Sequence, residues 1–186
     1  DKQFAEDMWT VNHSGLAYSD DNGATWVRSG VKWDANSNFV QAALLRDNGY
    51  VYMYGAPAGR ISEGEQYVKL ARAAEAEMAT QAGWKYWNGS DWAADASAAV
   101  PLIYAGTLGE LSVIKNRTTG RYLMTYSSIK RDAIVIRDAA VPEGEWSGEK
   151  IVCVDDADEI LSAPSFLPIS AEGNTVYFLM SSAWGK

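Results

Sequence analysis

The chain has 186 residues, 47% of them hydrophobic, and a net charge of −8; this describes one globular domain with a sizeable core and argues against disorder. The acidic balance argues against a nucleic-acid phosphate backbone or an anionic membrane surface as partner, and no run of about 18 apolar residues offers membrane insertion. One cysteine, Cys153, excludes an internal disulfide, and with a single histidine a Cys/His zinc site is not expected.

Residues Asp1–Trp9 are weakly patterned. Gly15-Leu16-Ala17-Tyr18 begins a strand and leads into Ser19-Asp20-Asp21-Asn22-Gly23-Ala24-Thr25-Trp26. This fits S-x-D-x-G-x-T-W, the Asp-box of sialidases and other propeller proteins, at every fixed position. Asp21 is expected to accept backbone N–H bonds across the turn, Gly23 to supply positive φ, and Trp26 to pack over the hairpin. The motif marks a hairpin of a propeller blade far better than it marks catalysis.

Asp34–Asn38 reads as a polar loop and Phe39–Leu45 as a buried inner strand. Asp47-Asn48-Gly49 turns the chain and Tyr50–Tyr54 returns it. Gly55–Gly64 is a Gly/Pro loop, and Tyr67–Ala71 a third strand. Ala73–Ala82 reads as a helix, its alanines favouring that state and Gly83 ending it. Trp84–Trp87 is a fourth strand, and Asp91–Pro101 a small-residue loop.

Gly109–Trp146 contains three apolar, β-rich runs, Leu111–Ile114, Tyr122–Tyr126 and Ala133–Ile136, with Ile151–Val154 closing a fourth. Leu161–Leu167 and Thr175–Ser182 begin another unit. The turns at Gly49, Gly120 and Gly173 recur ahead of similar second strands. A period of roughly 50 residues with four strands per repeat is a propeller signature. The expected fold is therefore an all-β propeller of antiparallel four-stranded blades. It forms a single domain over residues 1–186, with two full blades, two half blades and one short helix near 73–82. A closed propeller needs about four to eight blades. Part of the propeller, or a partner chain covering its open edges, is thus expected beyond these residues.

Asn38-Phe39-Val40-Gln41, Tyr54-Gly55-Ala56-Pro57-Ala58-Gly59-Arg60, Val68-Lys69-Leu70-Ala71-Arg72, Gly109-Glu110-Leu111-Ser112-Val113 and Ser182-Ala183-Trp184-Gly185 resemble the bacterial domain-of-unknown-function family 4185. The resemblance runs from about Asn12 to Lys186, with the start of the family domain expected to lie upstream. It implies likeness to five-bladed propeller glycosidases, among them endo-acting D-arabinan hydrolases. A carbohydrate substrate, no cofactor and a secreted or cell-surface setting are the expectations for the chain.

Glycosidic hydrolysis generally uses two carboxyl groups, one protonating the leaving oxygen and one acting as base or nucleophile. Glu110 opens an inner strand and suits a general acid; the bland reading is an ordinary strand-entry acid. Asp34, as second catalytic candidate, and Glu159 precede the other inner strands at similar phase, where a solvated loop acid is the simpler reading. Asn38 and Gln41 are candidates for hydrogen-bonding sugar hydroxyls. Arg60 suits either a substrate oxygen or a loop-locking salt bridge. Tyr54, Tyr126 and Trp184 suit either sugar stacking or packing between blades. No metal ligand set is expected. A non-catalytic carbohydrate-binding or structural propeller is the alternative function.

Overall fold

The computed structural model describes residues 2–5, 8–58, 66–154 and 159–184. It is all-β, as the repeat predicts. β1 (Lys2–Ala5) and β2 (Met8–Val11) pair as an antiparallel hairpin where the sequence shows little pattern. β3 (His13–Tyr18) and β4 (Val27–Asp34) form the next hairpin around the Ser19–Trp26 turn. There Asp21 Oδ1 accepts from the Thr25 N–H at 2.8 Å and the Ser19 hydroxyl at 2.7 Å. Its Oδ2 accepts from the Thr25 hydroxyl at 2.7 Å. The Thr25 bonds, foremost, bring the Asp21 carboxyl down to about 2. Trp26 donates Nε1–H to the Gly23 carbonyl at 3.2 Å, yet its ring stays mostly exposed rather than covered by the hairpin.

The first complete blade holds β5 (Gln41–Asp47), β6 (Tyr50–Ala56) and β7 (Gln66–Ala74) in antiparallel order. Its fourth position is shared by two pieces. β8 (Lys85–Trp87), extended by β9 (Trp92–Ala93), pairs with Ala71 and Arg72 of β7. β10 (Pro101–Gly106) pairs with the same edge from Gln66 to Lys69. A split strand of this kind leaves no single apolar run to find, and the sequence reading leaves β10 out.

The helix expected over 73–82 does not form. Ala73 and Ala74 end β7, where Ala73 opposes Val51 and is buried. Two single 3₁₀ turns follow, Glu75–Glu77 and Gln81–Gly83. Alanine's helix preference is worth under a kcal/mol per residue, and the β6 ladder with its buried face outweighs it.

The second complete blade is β11 (Leu108–Lys115), β12 (Tyr122–Ser128), β13 (Ala133–Ala139) and β14 (Lys150–Val154), in that order. β15 (Glu159–Phe166) and β16 (Phe178–Trp184) make a two-stranded half blade beside it. Asn116 ties the two together, donating its side-chain N–H groups to the Ser170 and Gly173 carbonyls, each at 2.9 Å. Two apolar cores result. Tyr54, Leu70, Leu108, Met124, Tyr126 and Trp146 fill the space between the complete blades. Val31, Trp33, Phe39, Met53 and Trp84 fill that between the β3–β4 hairpin and the first blade. Fully burying one such side chain contributes about 2 kcal/mol, so these two seams hold the blades in sequence. The second core presses the Phe39 ring onto Gly55, where a Cβ would overlap it.

Candidate functional site

β5, β11 and β15 are the inner strands, and their neighbouring segments line a shallow groove of about 290 Å³. Both β11 and β15 are irregular there. β11 shifts register between Leu108 and Leu111, and β15 between Ser162 and Ser165. Residues 110 and 112 stand two apart on β11 and so share a face. Glu110 Oε2 accepts from the Ala163 N–H at 3.1 Å, and Ser112 Oγ from the Phe166 N–H at 3.1 Å. Side chains thus make the link between two inner strands that no ladder joins. Ala163 sits at φ 51°, a left-handed conformation costing a non-glycine residue about 1 kcal/mol. The strained residue is the one that presents its N–H to the Glu110 carboxylate.

Glu110 is therefore the third residue of its strand rather than the acid at its mouth. Among the described residues it is the only carboxylate lining the groove. Leu44, Leu111, Val113 and Pro164 make much of the rest of the surface apolar.

The structure does not gather the other candidates here. Asp34 ends β4 of the outer hairpin, opposite His13, and its carbonyl accepts from the Ser37 N–H at 2.9 Å. It lies outside the groove lining because the polar loop to β5 separates it from the inner strands. Asn38 donates to the Gly55 and Tyr67 carbonyls, each at 2.9 Å, and so locks the approach to β5. Gln41 opens β5 opposite Ala56, with Oε1 buried and unbonded among the described residues.

Tyr54 is wholly enclosed, edge-on to Trp146 at 5.7 Å, and so packs between blades instead of offering a stacking face. Burial pushes its hydroxyl well above the ordinary tyrosine value. Tyr126 is equally enclosed. Glu159 begins β15 and Trp184 ends β16, each opposite the other, with side chains outside what is described. Arg60 lies outside the described residues.

Tyr126 leads to a cluster that sequence reading missed. Its hydroxyl donates to Glu149 Oε1 at 2.7 Å and accepts from Arg137 Nε–H at 2.9 Å. Arg131 donates Nε–H to Glu149 Oε2. Arg137 also donates to the Ser147 and Tyr104 carbonyls at 2.8 and 3.1 Å. Burial works to raise the Glu149 carboxyl, but the Tyr126 and Arg131 bonds and the Arg137 charge hold it below the usual range. Glu149 sits in a glycine-containing loop with its partners 12 to 23 residues away, so no local spacing marks it. A second cluster joins the other ends of the strands. Asp47 accepts from Lys115 Nζ at 2.8 Å and from the Tyr122 hydroxyl at 2.6 Å.

Among the described residues, no three His, Cys, Asp or Glu side chains gather as metal ligands would.

Residues 2–186 match the model of a family described as Domain of unknown function (DUF4185). Notoamide biosynthesis cluster protein J of Aspergillus sp. (strain MF297-2) is 34% identical over 188 residues, covering 95% of this chain and 48% of that protein. Protein J′ of Aspergillus versicolor is 31% identical over 183 residues, covering 95% and 49%. The chain thus spans about half the length of the curated relatives it matches. Both come from Aspergillus, so a bacterial origin does not follow from the family. Among solved structures, a candidate hydrolase from Bacteroides ovatus aligns with a TM-score of 0.61 at 15% identity, covering 98% of this chain and 53% of that one. An exo-β-1,3-galactanase from Phanerochaete chrysosporium, solved with β-1,3-galactotriose, aligns at 0.52 with 16% identity, covering 92% and 36%. At such identities the likeness is one of fold alone: an all-β propeller.

Proposed function

The chain belongs to the DUF4185 family, and from that premise we propose that it forms part of a glycoside hydrolase acting on a polysaccharide. Arabinan is the first substrate to test, on the family resemblance, and β-1,3-galactan the second, on the galactanase likeness. Glu110 is the general acid in this reading. It gives its proton to the glycosidic oxygen as the C–O bond breaks, while water adds at the anomeric carbon and loses its proton to a second carboxylate. That second carboxylate comes from residues beyond those described, because among the described residues the groove lining holds only Glu110.

One observation carries the reading: a carboxylate on an inner strand, fixed by the N–H of a strained residue, facing an open groove on a glycosidase-type fold. The test is Glu110→Gln in the full-length protein. Removing a general acid lowers turnover by about 10²-fold or more. The release of reducing sugar from arabinan and galactan measures it; undiminished release removes Glu110 from the mechanism.

That Glu110 is the only carboxylate of the groove among the described residues also favours a second reading, a carbohydrate-binding propeller without turnover. In that case wild-type protein and Glu110→Gln retain glycan in affinity electrophoresis, and neither releases sugar.

A further inference from the structure

β11 and β15 each carry one extra residue where they pass each other. On β11, Leu108 opposes Ser128 and Leu111 opposes Tyr126, so this strand holds one residue more than β12 between the same rungs. A bulge of this kind exchanges the two faces of the strand beyond it. Leu108 packs in the core between the complete blades, and beyond the bulge Leu111 and Val113 face that core as well. In an unbroken ladder residue 110 would share the face of Leu108 and enter the core. The extra residue turns Glu110 the other way, towards β15.

On β15, Ser162 opposes Ser181 and Ser165 opposes Leu179, again one residue more than the partner strand. Ala163 lies inside this bulge at φ 51°, directly before Pro164. A proline biases the residue ahead of it towards extended backbone at negative φ. Ala163 is therefore disfavoured twice, by its own Cβ and by the ring that follows. Its methyl is exposed, so packing of that group does not hold the conformation. What the conformation delivers is an N–H, 3.1 Å from Glu110 Oε2. Strain of this kind gathers at functional sites, where the surroundings over-determine it.

We infer that Ala163 is a positioning residue, whose strained backbone aims the Glu110 carboxyl and stabilises the charge it acquires in the reaction. The inference rests on the glycosidase reading given above. The N–H keeps Oε2 an acceptor, so in the acid form the proton sits on Oε1. That proton passes to the glycosidic oxygen, which also takes the electron pair of the breaking C–O bond. Glu110 is left as a carboxylate, and the bond from the Ala163 N–H strengthens as this negative charge develops. Because the donor is a backbone group locked in a bulge, it is in place before the charge appears.

The experiment measures kcat and KM for sugar release from arabinan and β-1,3-galactan by the full-length protein, alongside thermal melting. Wild type is compared with Glu110→Gln, Ala163→Val and Ala163→Asn. Valine's branched side chain resists positive φ and draws the N–H off the carboxylate, whereas asparagine, of similar size, accepts positive φ and keeps it there. The expected result for Ala163→Val is a kcat lower by about tenfold or more at unchanged KM, with kcat retained in Ala163→Asn. Turnover then follows tolerance of positive φ and not side-chain bulk beside the groove. Undiminished kcat in Ala163→Val, or an equal loss in both variants, overturns the role of Ala163 and leaves that of Glu110 standing. If Ala163→Val does not melt cooperatively, Ala163→Asn decides alone: a collapse of its kcat overturns the inference, and retention supports it. No sugar release by wild type, or undiminished release by Glu110→Gln, removes the proposed chemistry and this inference with it.

Discussion

Two glutamates of the second complete blade make opposite use of the same group. Glu149 is nearly enclosed and spends its carboxylate on Tyr126, Arg131 and Arg137. Glu110 lies on the inner strand, anchored by the N–H of Ala163 and bordering an open groove. A carboxylate saturated with cations inside a blade holds that blade together. One tethered at the surface of a groove is, in the proposed function, held for a ligand. Burial and partners, not residue type, separate the two carboxylates.

The strongest way to break this contrast is Glu149→Ala. It leaves the Arg137 guanidinium, itself only 13% exposed, without its counter-charge, and the Tyr126 hydroxyl without the carboxylate it donates to. Unpairing a buried ion pair costs about 3 kcal/mol, which for a domain of this size lowers the melting temperature by about 6–12 °C. Calorimetry of the two variants should show a large drop for Glu149→Ala and little for Glu110→Gln, whose amide oxygen still accepts from Ala163. Equal losses would erase the distinction.

Acidity sharpens the same contrast more gently. Glu149 and Asp47 both titrate below their ordinary range; burial opposes this, and their hydrogen-bonding partners prevail. The unfolded chain therefore takes up protons first as pH falls. The stability these groups supply is present above about pH 4 and is lost as pH drops through their folded values. Tyr122 acts at the other limb. Burial, then its bond to Asp47, raises it to about 12, so its share is intact below about pH 10 and disappears as pH climbs towards 12. Urea midpoints should therefore form a plateau with shoulders on both sides, and Glu149→Gln should flatten the acid shoulder. An unchanged acid limb would remove Glu149 from this account.

The smallest expected effect has the opposite sign. The Tyr54 hydroxyl is buried with no partner among the described residues. Tyr54→Phe keeps the ring against Trp146 and discards an unsatisfied group, so it should add about 1 kcal/mol, or about 2–4 °C. A fall in melting temperature would mean that the hydroxyl has a partner, such as a buried water.

Much of the fold was legible because its signals are local. Asn48-Gly49 and Thr119-Gly120 carry the turn chemistry, and β6, β12 and β13 are continuous apolar runs. The failures came where tertiary pairing overrides local preference. Ala73 and Ala74 follow β6 rather than their helix propensity, and β10 shares an edge with β8 that neither fills alone. Of the candidate residues, Glu110 is the one that the structure places in the lining of the inner-strand groove. Tyr54 and Tyr126 read equally well as stacking rings or core, since composition does not reveal which face a second strand buries. The Glu149 cluster depends on separations that no motif encodes.

Gly55 shows how recognition and chemistry come apart. Its segment, Gly55-Ala56-Pro57, is among the parts of the chain that resemble the family most closely, and it invites a search for catalysis nearby. Yet the position is closed to every side chain by the Phe39 ring, and its carbonyl is held by Asn38. Selection at such a residue would act on volume. Its persistence among relatives would report that two layers still meet, whatever reaction, if any, the descendants perform.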